Sequence, residues 1–191
     1  MSMDTLQLLL HPVRIRIVHA LYGGLTRTTS DLCDRLPDVS KATVYRQVTM
    51  LVNGGLLEVA GEQRVHGAVE RHYRLNQARV VVDPAAAASM SVEDHRHGFA
   101  AAVAALVAEF NAYLDRAGAN PTADLVGYRQ IPLWLSQAEL NDLVQVLTAA
   151  VAPKTNNKPT ANRRRYLLSP IMFPIEGFGT MAVDDQSGRE S

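Results

Sequence analysis

The chain has 191 residues, which is enough for a small domain of about 80 residues and a second region beside it. Apolar residues make up 47% of the chain, so a hydrophobic core can form and global disorder is excluded. The 19 basic residues balance the 19 acidic residues, which argues against a uniformly basic surface for nucleic acid. The charge is unevenly distributed, however: the net charge is +3 over residues 1–82, −5 over residues 83–152 and +2 over residues 153–191.

The first predicted elements are helices. Apolar residues spaced by three and four predict helical structure over residues 6–22, with Pro12 beginning a new segment and Gly23-Gly24 ending it. A short helix over residues 29–36 and a turn at residues 38–40 follow. Ser40 is a good N-cap for a third helix over residues 41–53.

A β-hairpin is predicted after the third helix. Residues 56–60 form its first strand, and residues 69–75 alternate well enough for the returning strand. Between them lies a polar loop over residues 61–67 that is bounded by glycines and carries Arg64 at its middle. The order of elements is therefore helix, helix, turn, helix and hairpin.

A long helix is predicted over residues 92–117, because Ser91 and Asp94 form a variant capping box. Its apolar positions step by four and three, as in a coiled-coil seam of nearly three heptads. We expect this seam to join two chains, and the alternative is a helix that packs on its own domain. The expected dimerisation residues are Phe99, Val103, Leu106, Phe110 and Tyr113, with Ala117 ending the stripe.

The remaining chain predicts a small C-terminal α+β region. Residues 124–135 look extended, Ser136 begins a capping box for a helix to about residue 151, and residues 163–174 predict a strand. The expected domains are residues 1–82, a linker and dimerisation helix over 83–118 with the linker at 84–88, an effector or dimerisation domain over 119–176, and a mobile tail over 177–191. The fold class is mainly α with a small β part (α+β).

The third helix has two distinct faces. At 100° per residue, the apolar side chains of Val44, Val48, Leu51 and Val52 form one face, which we expect in the core. The opposite face is small and polar, which suits entry into the DNA major groove, although a solvated amphipathic helix would look the same. Arg46 is suited to a guanine or a phosphate, and the helix N-terminus is suited to phosphate oxygens. The expected DNA-binding residues are Ser40, Lys41, Ala42, Thr43, Tyr45, Arg46 and Thr49 on the helix, and Arg64 and Arg71 on the hairpin.

Six stretches together resemble ArsR-type winged helix-turn-helix regulators. They are residues 11–17 (HPVRIRI), 31–33 (DLC), 39–47 (VSKATVYRQ), 50–51 (ML), 54–57 (GGLL) and 71–75 (RHYRL). The resemblance covers residues 5–80, about two fifths of the chain. It implies a dimeric repressor or activator that places its recognition helices in successive major grooves.

One departure from that family concerns metal sensing. Its metal-sensing members carry paired cysteines just before the short helix, where this chain has Thr28 and Ser30. Cys33, the single cysteine, is expected in the core, so disulfides and Cys-rich zinc sites are excluded. His95 and His97 lie two residues apart and do not share a helix face, so a pH-sensitive surface cluster is favoured over a metal site. We expect no metal and no cofactor.

No motif of an enzyme is present, since the sequence has no nucleophile elbow, phosphate loop or dinucleotide fingerprint. Tyr128, Trp134 and Phe173 are expected as core residues of the C-terminal region, with a pocket for a small apolar effector as the alternative. The basic run at residues 163–165 is expected to be solvated. No secretion signal and no apolar run of 18 residues is recognised, so we expect a soluble cytoplasmic protein that is not a membrane protein.

The function predicted from these features is sequence-specific binding of double-stranded DNA by a homodimeric transcriptional regulator, a repressor. The expected partners are DNA, a second copy of the chain and an unidentified small-molecule effector. The alternative is a winged-helix module that binds other proteins and not DNA. A small enzyme within residues 120–175 is the third hypothesis, and no residue pattern supports a named reaction for it.

Overall fold

The computed structural model describes residues 5–65, 67–80, 88–155 and 157–175. Its elements in chain order are α1 (Thr5–Leu9), α2 (Pro12–Leu21), β1 (Arg27–Thr28), α3 (Thr29–Arg35), α4 (Lys41–Asn53), β2 (Leu57–Val65), β3 (Ala68–Leu75), α5 (Gln77–Val80), α6 (Val92–Leu114) and α7 (Gln137–Thr155). The predictions for the linker at residues 84–87 and for the tail at 177–191 lie outside the described residues.

The helices of the N-terminal region begin and end where the sequence predicts. Pro12 is the first residue of α2, since a proline has no N–H to lose in a first helical turn. The N-cap of α2 is His11, whose Nδ1 accepts a hydrogen bond from the Val13 N–H at 3.2 Å. Gly23 and Gly24 follow with φ of +84° and +77°, a left-handed conformation that ends the helix at little cost only for glycine.

Two short caps fix the next two helices. Thr28 and Asp31 form a reciprocal capping box at the start of α3, in which each side chain accepts from the other residue's N–H. Ser40 caps α4 as predicted, and its hydroxyl oxygen accepts from the Thr43 N–H. The helix α4 then has the predicted bounds, because Gly54 and Gly55 follow it and Gly55 has a φ of +73°.

The hairpin is longer than predicted and carries a third strand. The antiparallel sheet has the order β1-β3-β2, with Arg27 opposite Tyr73 and Thr28 opposite His72. The loop expected over residues 61–67 is wrong for most of its length, since β2 continues to Val65 with a bulge after Val59 and Arg64 pairs with Val69. Polar residues can extend a strand in this way because cross-strand ion pairs stabilise it, as described below.

The core lies between α1 to α4 and the base of the hairpin. The fully buried side chains are Leu8, Ile17, Leu21, Leu32, Leu36, Val44, Leu51, Leu56 and Leu57. Cys33 is 7% exposed and belongs to the same cluster, as predicted, and burial raises the pKa of its thiol. This arrangement of helices around a small three-stranded sheet is an α+β winged helix.

The helix α6 packs on α2 through small side chains. Ala101 and Ala105 are buried in this contact, and Arg16 Nε of α2 lies 3.7 Å from Glu109 Oε1. The predicted capping box of Ser91 and Asp94 is confirmed. The helix ends at residue 114, three residues before the predicted end. The chain turns after it, and Gly118 in this turn has a φ of +83°.

The region after α6 is less regular than predicted. Ser136 and Glu139 form the expected capping box, but α7 runs to Thr155 with Pro153 inside its last turn. The prediction of a strand over residues 163–174 is wrong, because no strand follows β3 among the described residues. Neither this stretch nor residues 124–135 pairs with another strand. The chain divides into two compact units, residues 1–158 and 159–191.

One described helix, α6, is long and apolar enough to cross a membrane by length and composition, with a mean hydropathy of 1.2 over its best window. This is weak evidence for a membrane span, because α6 packs its alanines on α2 and begins with the charged residues Glu93, Asp94 and Arg96.

Candidate nucleic-acid interface

The recognition-helix candidate α4 follows α3 after a tight turn and presents the two faces that the sequence predicts. Val44, Val48 and Leu51 are buried, and Val52 is half-buried against the same core. Gln47 is also buried, at 3% exposure, which sequence periodicity alone did not indicate. The opposite face is open to solvent and consists of Lys41, Ala42, Tyr45, Arg46, Thr49 and Met50.

The N-terminus of α4 is organised by its own side chains. The hydroxyls of Ser40 and Thr43 lie 2.9 Å apart, and the Ser40 hydroxyl also caps the Thr43 N–H. Lys41 is exposed beside them, at the positive end of the helix dipole. The cap leaves this end rigid and cationic, which suits a phosphate oxygen.

Farther along the helix, Thr49 and Arg46 stand on the open face. The Thr49 hydroxyl donates to the Tyr45 carbonyl oxygen at 3.0 Å, so its methyl group and its remaining lone pair point outward as an apolar contact and an acceptor. Arg46 is exposed and forms no hydrogen bond or salt bridge within the described part of the chain. A guanidinium in this position can donate two parallel hydrogen bonds to a base edge or a phosphate.

The arginines of the hairpin fall into two groups. Arg71 Nε lies 2.8 Å from Glu62 Oε1, and Arg74 Nε lies 2.6 Å from Glu58 Oε1, each across the β2–β3 pair. Glu62 raises the pKa of Arg71 through this hydrogen bond. Arg64 is exposed near the tip of the hairpin and has no acidic partner among the described residues. The charge that the hairpin offers to a ligand is therefore concentrated on Arg64.

The turn before α4 is held by an ion pair that sequence reasoning missed. Arg16 of α2 donates from both terminal nitrogens to the Asp38 carboxylate, at 2.6 and 2.8 Å. The Arg16 side chain is 3% exposed, whereas that of Asp38 is 51% exposed. The hydrogen bonds from Arg16 hold the pKa of Asp38 below its usual value. The pair links the turn between α3 and α4 to α2 and so fixes the orientation of α4.

The predicted dimerisation residues lie outside the alanine face of α6. At about 100° per residue, Ala101 and Ala105 share one side of the helix, Val103 and Phe110 lie nearly opposite, and Leu106 lies about 120° away. Val103, Leu106, Phe110 and Tyr113 are half-buried, and Phe99 is 50% exposed. The Phe110 ring contacts Tyr128 at 6.3 Å, and the Tyr113 hydroxyl donates to Asp124 at 2.8 Å.

The aromatic residues of the C-terminal region are not core residues, contrary to our expectation. Tyr128 and Trp134 are each 82% exposed, and Phe173 is 63% exposed. Each lies in a stretch without helix or strand, and its side chain is exposed to solvent. The small-molecule effector stays a prediction.

The histidine cluster on α6 contains one ion-pair geometry. His97 Nε2 lies 3.4 Å from Glu93 Oε1, one helical turn away, whereas His95 is on another face of the helix. In the part of the chain that the structure describes, no group of three or more metal-ligating side chains comes together.

Residues 9–60, which contain α2, β1, α3, α4 and the first residues of β2, match the model of a family described as a helix-turn-helix domain. The chain contains a helix-turn-helix domain. This domain indicates a DNA-binding regulator. The match is consistent with an ArsR-like regulator, and the ArsR subtype stays a prediction. A comparison with curated proteins gives no match.

Proposed function

We propose that this protein is a homodimeric, sequence-specific transcriptional repressor of the ArsR-like type that acts on double-stranded DNA in the cytoplasm. In this proposal α4 enters the major groove and the β2–β3 hairpin lies on the backbone or in the minor groove. The division into a DNA-binding domain (1–82), a linker and dimerisation helix (83–118) and an effector or dimerisation domain (119–176) is part of the same proposal.

The observation that carries the proposal is the distribution of unpaired cations. Lys41, Arg46 and Arg64 are exposed without an acidic partner in the described chain, although the protein as a whole has no net charge, and all three belong to α4 or to the hairpin that follows it. Arg79, Arg116 and Arg129 are also exposed without an ion pair in the described chain, but they lie on neither of these two elements. Cations without acidic partners on a helix and a hairpin that fit the grooves of DNA favour a polyanionic ligand over a neutral protein surface.

The two faces of α6 support a homodimer. The alanine face is used within the chain, and the side with Val103, Leu106 and Phe110 carries larger apolar groups than a solvated helix needs. Burying this stripe against a second copy follows coiled-coil packing rules. A two-fold axis through α6 would also give two recognition helices for a palindromic site.

Repression requires the fewest contacts of the regulatory modes open to such a dimer. A dimer that occupies a promoter excludes polymerase by volume alone, whereas activation needs an additional surface for polymerase. A reporter driven by the protein's own binding site should therefore fall in output when the protein is expressed. A rise in output would overturn the repressor assignment and leave DNA binding intact.

DNA binding is tested by selecting duplexes from a random library with the full chain, followed by titration with a labelled duplex. Arg46→Ala should weaken binding. A broadened sequence preference at one position of each half-site would place its guanidinium on a base edge, and an unchanged preference would place it on a phosphate. Arg64→Ala should weaken binding to all duplexes and reduce the slope of log K against log salt by about 0.9, the value for one phosphate.

The matched control for Arg64→Ala is the double variant Glu62→Ala/Arg71→Ala, which removes an ion pair of the same hairpin without changing net charge. It should leave the salt slope of the wild type unchanged. If the wild type binds neither selected nor random duplex at low salt, the DNA-binding function is wrong and a protein-binding winged helix replaces it.

A further inference from the structure

Two arginines of α2, two residues apart, are in opposite electrostatic situations. Arg16 is buried and paired, with Asp38 at 2.6 Å and Glu109 at 3.7 Å. Arg14 is also buried, at 7% exposure, but no carboxylate or other acceptor among the described residues meets it. Its Nε and Nη1 atoms are enclosed without a hydrogen-bond partner. Burying a guanidinium without an anion costs free energy. An external anion that binds Arg14 would offset this cost.

The surroundings of Arg14 are cationic as well. His11, the N-cap of α2, lies three residues before Arg14 in the sequence and is half-buried. Burial lowers the pKa of His11, and the charges of Arg14 and Arg46 lower it further, so both guanidinium groups act on the same imidazole. Arg46 belongs to α4, which packs directly on α2. In the described part of the chain, no carboxylate forms an ion pair with any of these three side chains.

The N-terminus of α2 adds to this field. Pro12 has no N–H, and the Val13 N–H is already taken by His11 Nδ1, which leaves His11 Nε2 to carry the proton of the neutral ring. The positive end of the helix dipole lies at His11. A tetrahedral oxyanion is the ligand whose geometry matches donors from a guanidinium fork, an imidazole N–H and a helix start.

We propose that His11, Arg14 and Arg46 form a binding site for one phosphodiester of the DNA backbone, beside the groove that α4 enters. This inference rests on the proposed DNA-binding function. It assigns α2 a direct role in DNA binding, in addition to its role as a core helix. The phosphate would supply the missing counter-charge of Arg14, so that DNA binding relieves an unfavourable burial in the unbound protein.

The deciding variant is Arg14→Met, which keeps the volume of the side chain and removes its charge. The melting temperature of the unbound protein should stay the same or rise, because an unpaired buried charge is replaced by an apolar group. The slope of log K, the association constant for DNA, against log salt should become shallower by about 0.9. When salt is raised from about 50 to about 200 mM, the variant should therefore lose roughly 3.5-fold less affinity than the wild type. The control is Arg129→Met, which removes an exposed cation outside α2, α4 and the hairpin and should change neither quantity.

A scan of the DNA identifies the phosphate itself. Single methylphosphonate linkages, which are uncharged, are placed along a selected duplex, and one of them should weaken wild-type binding by about tenfold. That same linkage should cost less in Arg14→Met and in Arg46→Met than in the wild type, because each variant lacks one donor to that phosphate. The exposed position of Arg46 makes folding of the Arg46→Met variant secure. If Arg14→Met does not fold, the Arg46→Met scan decides, and a linkage that costs both proteins equally overturns the site.

The remaining outcomes separate this site from the function on which it rests. A wild type that binds no duplex overturns the proposed function. A wild type that binds DNA while Arg14→Met keeps its salt slope overturns the phosphate site alone. If inorganic phosphate raises the melting temperature of the wild type but not of Arg14→Met, while the salt slopes agree, the anion is a small one and the assignment to DNA is wrong.

Discussion

The ion pair between Arg16 and Asp38 should control both the stability of the domain and the placement of its recognition helix. Asp38 lies in the turn between α3 and α4, and its carboxylate accepts two hydrogen bonds from a guanidinium that is 3% exposed. Asp38→Asn keeps the shape of the side chain and removes its charge. Arg16 would then keep only Glu109, whose Oε1 lies 3.7 Å from Nε.

The expected loss is set by the burial of the two partners. Removing one member of a fully buried pair costs about 3–5 kcal/mol, but here the carboxylate is 51% exposed and a second acid stays near. Asparagine keeps one acceptor oxygen, and its NH2 group would face a guanidinium N–H, so one of the two charge-assisted hydrogen bonds is lost and the other is weakened. We therefore expect a loss of about 2 kcal/mol in the free energy of unfolding. For a chain of this size the melting temperature should fall by about 4–8 °C.

The assay is urea unfolding followed by circular dichroism, with Asp34→Asn as the matched control. Asp34 is an exposed acid of the neighbouring helix α3, so its substitution removes the same charge and should change stability by no more than about 0.5 kcal/mol. A loss below about 0.5 kcal/mol for Asp38→Asn at neutral pH would refute the reasoning.

The pH dependence gives an independent check of the same pair. The folded-state pKa of Asp38 lies below its ordinary value of 3.8, because the carboxylate accepts hydrogen bonds from Arg16. Its contribution to stability is therefore complete above that value and is lost as the pH falls through the lower folded-state pKa. The difference between wild type and Asp38→Asn should close in acid below pH 3.8. A difference that persists there would show that packing, and not charge, is responsible.

Two further predictions concern the dimer and the core. Leu106→Asp places a charge in the proposed seam and should weaken dimerisation on the order of 100-fold in sedimentation experiments. The control, Asn111→Asp on another side of α6, should leave dimerisation unchanged, and equal effects of the two variants would contradict the seam. Gly54→Ala should cost about 1–3 kcal/mol in unfolding experiments, because a Cβ at Gly54 would overlap Leu8 Cδ1, and the Leu8 side chain is fully buried. Gly61→Ala meets no atom within 4 Å and should be nearly neutral, so a similar loss in both would show that packing against Leu8 is not the cause.

The parts of the fold that the sequence predicted well are governed by local rules. The bounds of α4 follow from Ser40 at its start and the glycines after Asn53, and the two faces of the helix follow from its period. The same reasoning found the break at Pro12 and both capping boxes downstream of residue 90. It failed where stability came from a partner across space, as in β2, whose second half is polar and is paired through Glu62 and Arg71.

Sequence reasoning found the candidate interface only in part. Residue type and spacing identified the exposed positions of α4, including Arg46 and Thr49. They did not distinguish Arg64 from Arg71, since the difference is an acid on the opposite strand. They also gave no sign that Arg14 is buried without a partner, because periodicity places a side chain on a face but does not report which groups meet it there.

By itself, the sequence determined a helix-turn-helix followed by a hairpin, because caps, glycines and apolar periods act over a few residues. Tertiary structure alone decided which charges remain available to a ligand. Arg16 is neutralised by Asp38 from the turn, 22 positions later in the chain, while Arg14 has no acid near it in the described residues. Charge pairing depends on distances between elements that are remote in sequence, and only the packed fold sets those distances.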